Sequence, residues 1–239
     1  MKKRLSYLAI VMCALGAAGD ASGGLVAYWN LEEGTGTTTT AAVGGPQADG
    51  RLVGTTWITA DLAPVAGTNA ALFFQSTSAD RVETSHPGVV GQAARSVTAW
   101  MRAEPTQTNA GVMVGWGANV ASQRYSFRFN KTAADGALNA LRLEIQGSRA
   151  VATTPVNDRQ WHHIAVTHGT GAQIGQVKFY VDGKPDPMTG TVATAVIDTA
   201  STSVVLGNSG HNTATYGFDG ALDEEIGRAS CRERVSLNV

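Results

Sequence analysis

Residues 161–185 read WHHIAVTHGTGAQIGQVKFYVDGKP, and the periodicity of the two ends of this stretch decides the fold class. In Gln176–Asp182, Val177, Phe179 and Val181 alternate with Lys178 and Tyr180, so one face packs and the other is polar. Asp182-Gly183 then supplies the positive-φ positions of a tight hairpin. In Trp161–His168, Ile164 and Val166 share a face with His162 and His168, while Trp161, His163, Ala165 and Thr167 point the other way. A period of two on both sides of a turn signal is strand logic.

Outward from this hairpin the same pattern recurs. Leu25–Leu31, Ala70–Phe74, Arg81–Thr84, Ser96–Arg102, Gly111–Trp116, Tyr125–Phe129, Leu141–Gln146, Thr191–Ile197 and Ser203–Leu206 also read as strands, separated by Gly, Asn, Asp and Thr. With no sustained helical period, no internal repeat and no long linker, the body is expected to be one all-β domain, a two-sheet antiparallel sandwich or jelly roll.

The ends read differently. Residues 1–21 carry a basic start (Lys2, Lys3, Arg4), an apolar stretch Leu5–Leu15 and a small-residue exit, which is the pattern of a secretory signal peptide. Met12 is too bulky to precede a lipidated Cys13. At the other end, IGRASCRERV at residues 226–235 has no strand or helix periodicity and resembles the in-frame translation of a sequencing adapter. The expected organisation is therefore a signal at 1–21, a domain at 22–225 and a non-native tail at 226–239. Removing both ends takes away six of 18 Lys/Arg and two of 19 Asp/Glu, which leaves 12 positive and 17 negative charges, net −5. Both cysteines, Cys13 and Cys231, go with the ends, so disulfides, zinc-thiolate sites and a cysteine nucleophile are not expected of the domain. No basic cluster in the body suggests nucleic acid, and no run of 18 apolar residues suggests a membrane helix.

LVAYWNLEEGTG at Leu25–Gly36, SVTAWMRAE at Ser96–Glu104, WHHIAVTH at Trp161–His168, VKFYVDGKP at Val177–Pro185 and FDGALDE at Phe218–Glu224 together resemble the concanavalin A-like jelly roll of laminin G-like and pentraxin-like domains. The resemblance implies a further strand after FDGALDE. Because the adapter-like tail stands in its place, the sheet is expected to lack its last strand, with an exposed edge and poor solubility.

Chemistry is sparse. The E-x-D-x-x-E and E-x-D-x-E spacings of glucanases on this fold do not occur, nor do G-x-S-x-G, H-E-x-x-H or a phosphate-binding loop. No enzyme activity is expected. His162 and His163 leave opposite faces of a strand, and His162 and His168 lie about 20 Å apart at roughly 3.3 Å per residue, so they cannot share an ion. The resemblance implies calcium as the ion this fold accepts. The loop after Val204–Gly207 offers no carboxylate for the pentraxin-like site, which leaves Glu32, Asp219 and Asp223 as candidate ligands. By the same resemblance the loops after Trp116 and from Asn208 to Tyr216 lie together, so Trp116 and Tyr216 are expected to stack on a sugar, with Gln123, Arg124, Asn208 and His211 bonding its hydroxyls. Trp116 at the end of an alternating strand also fits the core; Trp29, Trp100 and Trp161 are assigned to it. The expected function is a secreted or cell-surface binding module for a carbohydrate or an extracellular protein, with a structural or adhesion domain as the alternative and a glycoside hydrolase third.

Overall fold

Alternating inward residues force the chain into two layers, because each strand has one apolar face to bury. The computed structural model describes residues 24–76, 79–107, 109–189, 193–211 and 215–229; the expected signal at 1–21 and the chain beyond 229 lie outside the described residues. The strands are β1 (Leu25–Trp29), β2 (Thr38–Thr39), β3 (Gly50–Val53), β4 (Thr56–Ile58), β5 (Ala71–Phe74), β6 (Arg81–Glu83), β7 (Arg95–Ala103), β8 (Val112–Gly117), β9 (Arg124–Phe129), β10 (Ala140–Glu144), β11 (Arg149–Pro155), β12 (Trp161–His168), β13 (Lys178–Val181), β14 (Lys184–Asp186), β15 (Met188–Thr189), β16 (Val205–Leu206) and β17 (Gly220–Ala229). Eight form one antiparallel sheet, in the order β14-β13-β12-β7-β17-β5-β4 with β1 beside β17. The other nine form the second, in the order β15-β11-β10-β9-β8-β16-β6-β3-β2.

The hairpin read from the sequence is present: β12 pairs β13 through Ile164–Val181 and Val166–Phe179, and Asp182 and Gly183 turn with φ of 48° and 76°. Ile164, Val166, Phe179, Val97 and Ala99 are buried on its inner side. They meet Tyr125, Phe127, Phe129, Leu141 and Leu143 of the other sheet, with the Phe127 and Phe179 rings 6.4 Å apart. Gly207 belongs to this contact, since a Cβ there would sit 2.1 Å from the Phe74 ring. Between the layers lies one cation without a carboxylate partner. Arg95 is fully buried, donates to the carbonyls of Val89, Gly91 and Ala93 and to the Thr199 hydroxyl, and lies 5.2 Å from the Tyr125 ring.

Three expectations change. The last strand is not missing: β17 runs from Gly220 to Ala229, so the first four residues of the adapter-like segment complete the sheet. Strand pairing uses backbone N–H and C=O groups, and any chain that extends through the slot between β7 and β1 can supply them. Residues 193–197 form no strand, and only Val196 bridges to Gln173; 191 and 192 lie outside the described residues. Trp29 is core at 2% exposure, but Trp100 and Trp161 are only partly buried. Trp100 lies opposite His163, on the outer side of the sheet from Ala99 and Met101.

A chain ending at Glu225 leaves Arg95–Thr98 of β7 paired on the β12 flank alone and takes the partners of Leu25, Ala27 and Tyr28 from β1. It is expected to melt well below the full chain and to aggregate, which thermal denaturation with light scattering measures. His168 supplies a second test. Its Nδ1 donates to the Gly169 carbonyl, its Nε2 is buried without a partner, and burial with Arg95 nearby pushes its pKa down to about 4. The neutral ring is therefore part of the fold. Its contribution is complete above about pH 6.5 and is lost as pH falls toward 4, up to roughly 3 kcal/mol. Urea unfolding across pH should show that acid limb, and His168→Gln should flatten it.

Candidate functional site

The outer face of the nine-stranded sheet is polar where the inner face is apolar. Inward Tyr125, Phe127 and Phe129 of β9 alternate with outward Arg124, Ser126 and Arg128, and inward Leu141 and Leu143 of β10 with outward Arg142 and Glu144. Register aligns the outward residues Arg149, Glu144, Ser126, Gly115, Val205, Glu83 and Arg51 in one row across seven strands. Its centre is small and its ends are charged. Glu83 takes hydrogen bonds from both Arg51 and Arg81, and these arginines hold its carboxyl below the usual carboxylate range despite burial. Glu144 takes hydrogen bonds from Arg128 and Arg142, and Asp135, in the turn before β10, from Arg142 and Arg149.

Two clefts open onto this face. One, of about 530 Å³, lies between β6 and the loops around 202–211 and is lined by Arg81, Glu83, Ser203, Val205, Gly210 and His211. The other, of about 290 Å³, is lined by Asp135, Ser148, Arg149 and Thr189.

The residues expected to hold a ligand divide. His211 is exposed beside the larger cleft, its Nε2 donating to the Gly117 carbonyl at 2.6 Å. Trp116 borders the same cleft but offers no open ring: it is 6% exposed, stacks on Tyr125 at 4.4 Å, and gives its indole N–H to the Val89 carbonyl. Asn208 is fully buried, with its amide donating to the Asp80 carbonyl and accepting from the Ser209 N–H, so it shapes the loop. Arg124 is largely buried and bonds Asn119. Tyr216 is half-buried with the Arg128 guanidinium 5.2 Å from its ring, and Gln123 is exposed on the turn before β9. Arg81, Glu83 and Ser203 were missed, although the alternation of Arg81-Val82-Glu83 already placed two charges on one outward face.

Two of the three expected metal ligands do meet. Glu32, Asp223 and Glu224 bring carboxylate oxygens within 4.8 Å of one another. β17 bulges between Asp223 and Ile226, with Glu224 at φ of 49°, where β5 gives way to β1 as its neighbour. Tyr28 donates to Glu224, and the Asn69 N–H donates to Glu32 at 2.6 Å. Asp223 is fully buried; its Oδ1 accepts the Glu224 N–H, while its Oδ2 has no partner. Burial, with Glu224 and Glu32 adding to it, pushes the Asp223 pKa up to about 8. Three crowded carboxylates with one orphaned buried oxygen form an all-oxygen donor set, which suits a hard divalent cation. Asp219 is not in the group, since its carboxylate accepts from the Thr106 hydroxyl.

No curated protein sequence matches the chain. Among solved structures, domain 4 of AbnA, an extracellular GH43 arabinanase from Geobacillus stearothermophilus in complex with arabinotriose, superposes with a TM-score of 0.59 at 16% identity, covering 87% of this chain and 93% of that one. The binding domain of Paraclostridial Mosquitocidal Protein 1 gives 0.58 at 11% identity over 87% and 49%. Trypanosoma rangeli sialidase with 2,3-difluorosialic acid gives 0.56 at 15% over 89% and 32%. These likenesses are of fold. With a two-sheet sandwich on the page and the Laminin_G_3 family model matching residues 76–225, the chain belongs to the concanavalin A-like lectin/glucanases superfamily.

Proposed function

We propose that this protein is an exported, non-catalytic binding module that holds a carbohydrate in the cleft between β6 and the 202–211 loops. The carrying observation is that cleft: about 530 Å³, open to solvent, and edged by an arginine, a carboxylate, a serine and an imidazole that can bond sugar hydroxyls. The arabinanase domain seen with arabinotriose supports a sugar as ligand, and the signal-like residues 1–21 support export. The non-catalytic reading rests on Glu83. Most glycoside hydrolases use two carboxyl groups, one kept protonated, whereas among the described residues Glu83 is the one carboxylate lining this cleft and two arginines keep it ionised.

Calcium belongs to the same reading. Glu32, Asp223 and Glu224 would hold it, and it would neutralise their mutual repulsion and tie β17 to the loop after β1.

Filling the cleft with Ser203→Trp is expected to abolish glycan binding on an array without changing the melting temperature, since Ser203 is exposed; His211→Ala should weaken it. If both variants bind as the parent does, the cleft is not the site. For calcium the sign follows from Asp223. A raised carboxyl pKa means that the apo fold loses stability as pH rises from about 4 toward 8, where the buried group must ionise. Calcium should therefore raise the melting temperature more at pH 8 than at pH 5. Asp223→Asn should remove the response and leave the apo protein more stable at pH 8.

A further inference from the structure

The charge of this domain is unevenly placed. Residues 22–225 hold 12 Lys/Arg and 17 Asp/Glu, yet the outward side chains of the nine-stranded sheet include six arginines, Arg51, Arg81, Arg124, Arg128, Arg142 and Arg149. Among the described residues, only Glu83 and Glu144 on the strands, and Asp135 from the adjoining turn, answer them. Half of the cations of an acidic domain therefore lie on one face with three of its 17 acids. A face of one sign raises the local concentration of ligands of the other.

The pairing is short of anions at each place. Glu83 is shared by two arginines, and Glu144 and Asp135 by three, while Arg124 bonds a neutral amide. Each group keeps one positive charge that no carboxylate cancels. Two of these groups open into clefts, through Arg81 in the larger and Arg149 in the smaller, and their side chains are 22% and 44% exposed. β6 and β11 are five strand spacings apart, about 24 Å at roughly 4.8 Å each. In the middle, burial and then the neighbouring Arg142 cation lower the Arg128 pKa, with Glu144 acting the other way.

We propose that the ligand of this face is a linear polyanionic polysaccharide, carboxylated or sulfated, laid across the strands so that Arg81 and Arg149 meet two of its charges. This rests on the carbohydrate-binding reading and adds the class of carbohydrate. A single acidic sugar reaches one cleft; a chain reaches both.

Calorimetric titration of the full chain tests it, with polygalacturonate as the carboxylate arm, chondroitin sulfate as the sulfate arm, and fully methyl-esterified polygalacturonate and a neutral β-glucan as controls. At least one polyanion should bind, at least tenfold tighter than both controls, and should weaken as sodium chloride is raised. Arg81→Gln and Arg149→Gln should each cost roughly tenfold, the loss of one charge-assisted hydrogen bond, while Arg159→Gln, on the opposite sheet's side beside Glu104, changes nothing. A neutral polymer bound as tightly as the polyanions, with Ser203→Trp abolishing it, overturns the anionic class and leaves the cleft reading intact. Polyanion binding indifferent to both arginine variants overturns the two-point geometry. Failure of every polysaccharide to bind overturns both readings.

Discussion

β17 is hydrogen-bonded along both flanks, and the rest of the eight-stranded sheet is arranged around it. One flank faces β7 from Gly220 to Ala229; the other faces β5 through Leu222 and then β1 from Glu225. The backbone bulges against β7 between Asp223 and Ile226, at the point where β5 gives way to β1 on the other flank. That bulge puts Glu224 in the left-handed region, which costs a non-glycine residue about 1 kcal/mol or more, and it turns Asp223 and Glu224 toward Glu32. The carboxylate cluster is thus a by-product of how the sheet closes. A cation there would act on the seam between β5 and β1, which is where the sheet is least continuous.

The two sheets divide the labour between packing and polarity. Inner faces interdigitate through rings such as Phe127 and Phe179, and Arg95 ties the loop at 89–93 to Thr199 by hydrogen bonds to neutral oxygens. On the outer face of the nine-stranded sheet the arginines are mostly shielded, with Arg128 and Arg142 at 8% and 6% exposure. Shielded guanidinium groups are tolerated when carboxylates take their hydrogen bonds, and Glu144 and Asp135 do so for Arg128 and Arg142. The same burial holds Arg128 and Arg142 in place, while the cleft-facing Arg81 and Arg149 are more exposed.

Much of this was legible residue by residue. Period-two alternation located the β12–β13 hairpin and the inward face of β8, because side-chain alternation is a local property of extended chain, but it put Trp100 on the wrong face of β7. It missed β2, β3, β4, β11, β14 and β15, short or polar strands whose pairing comes from neighbours rather than composition. It also expected no last strand where β17 continues through 226–229, because a strand slot is filled by backbone and leaves little mark in sequence. Among the expected ligand residues, His211 does border the larger cleft, while Trp116 was read two ways and the structure gives it to the core: the alternation Val114-Trp116 points both inward, and Tyr125 completes the packing.

The sequence by itself determined that this chain makes two antiparallel layers, that its body carries an acidic excess without cysteines, and that the paired carboxylates of a glucanase strand are absent. These are matters of composition and short-range spacing. Only the tertiary structure decided that Glu32 meets Asp223 and that Arg149 shares a row with Glu83, because such neighbours are set by strand order. In a jelly roll, strand order joins residues far apart in the chain, and no local pattern encodes it.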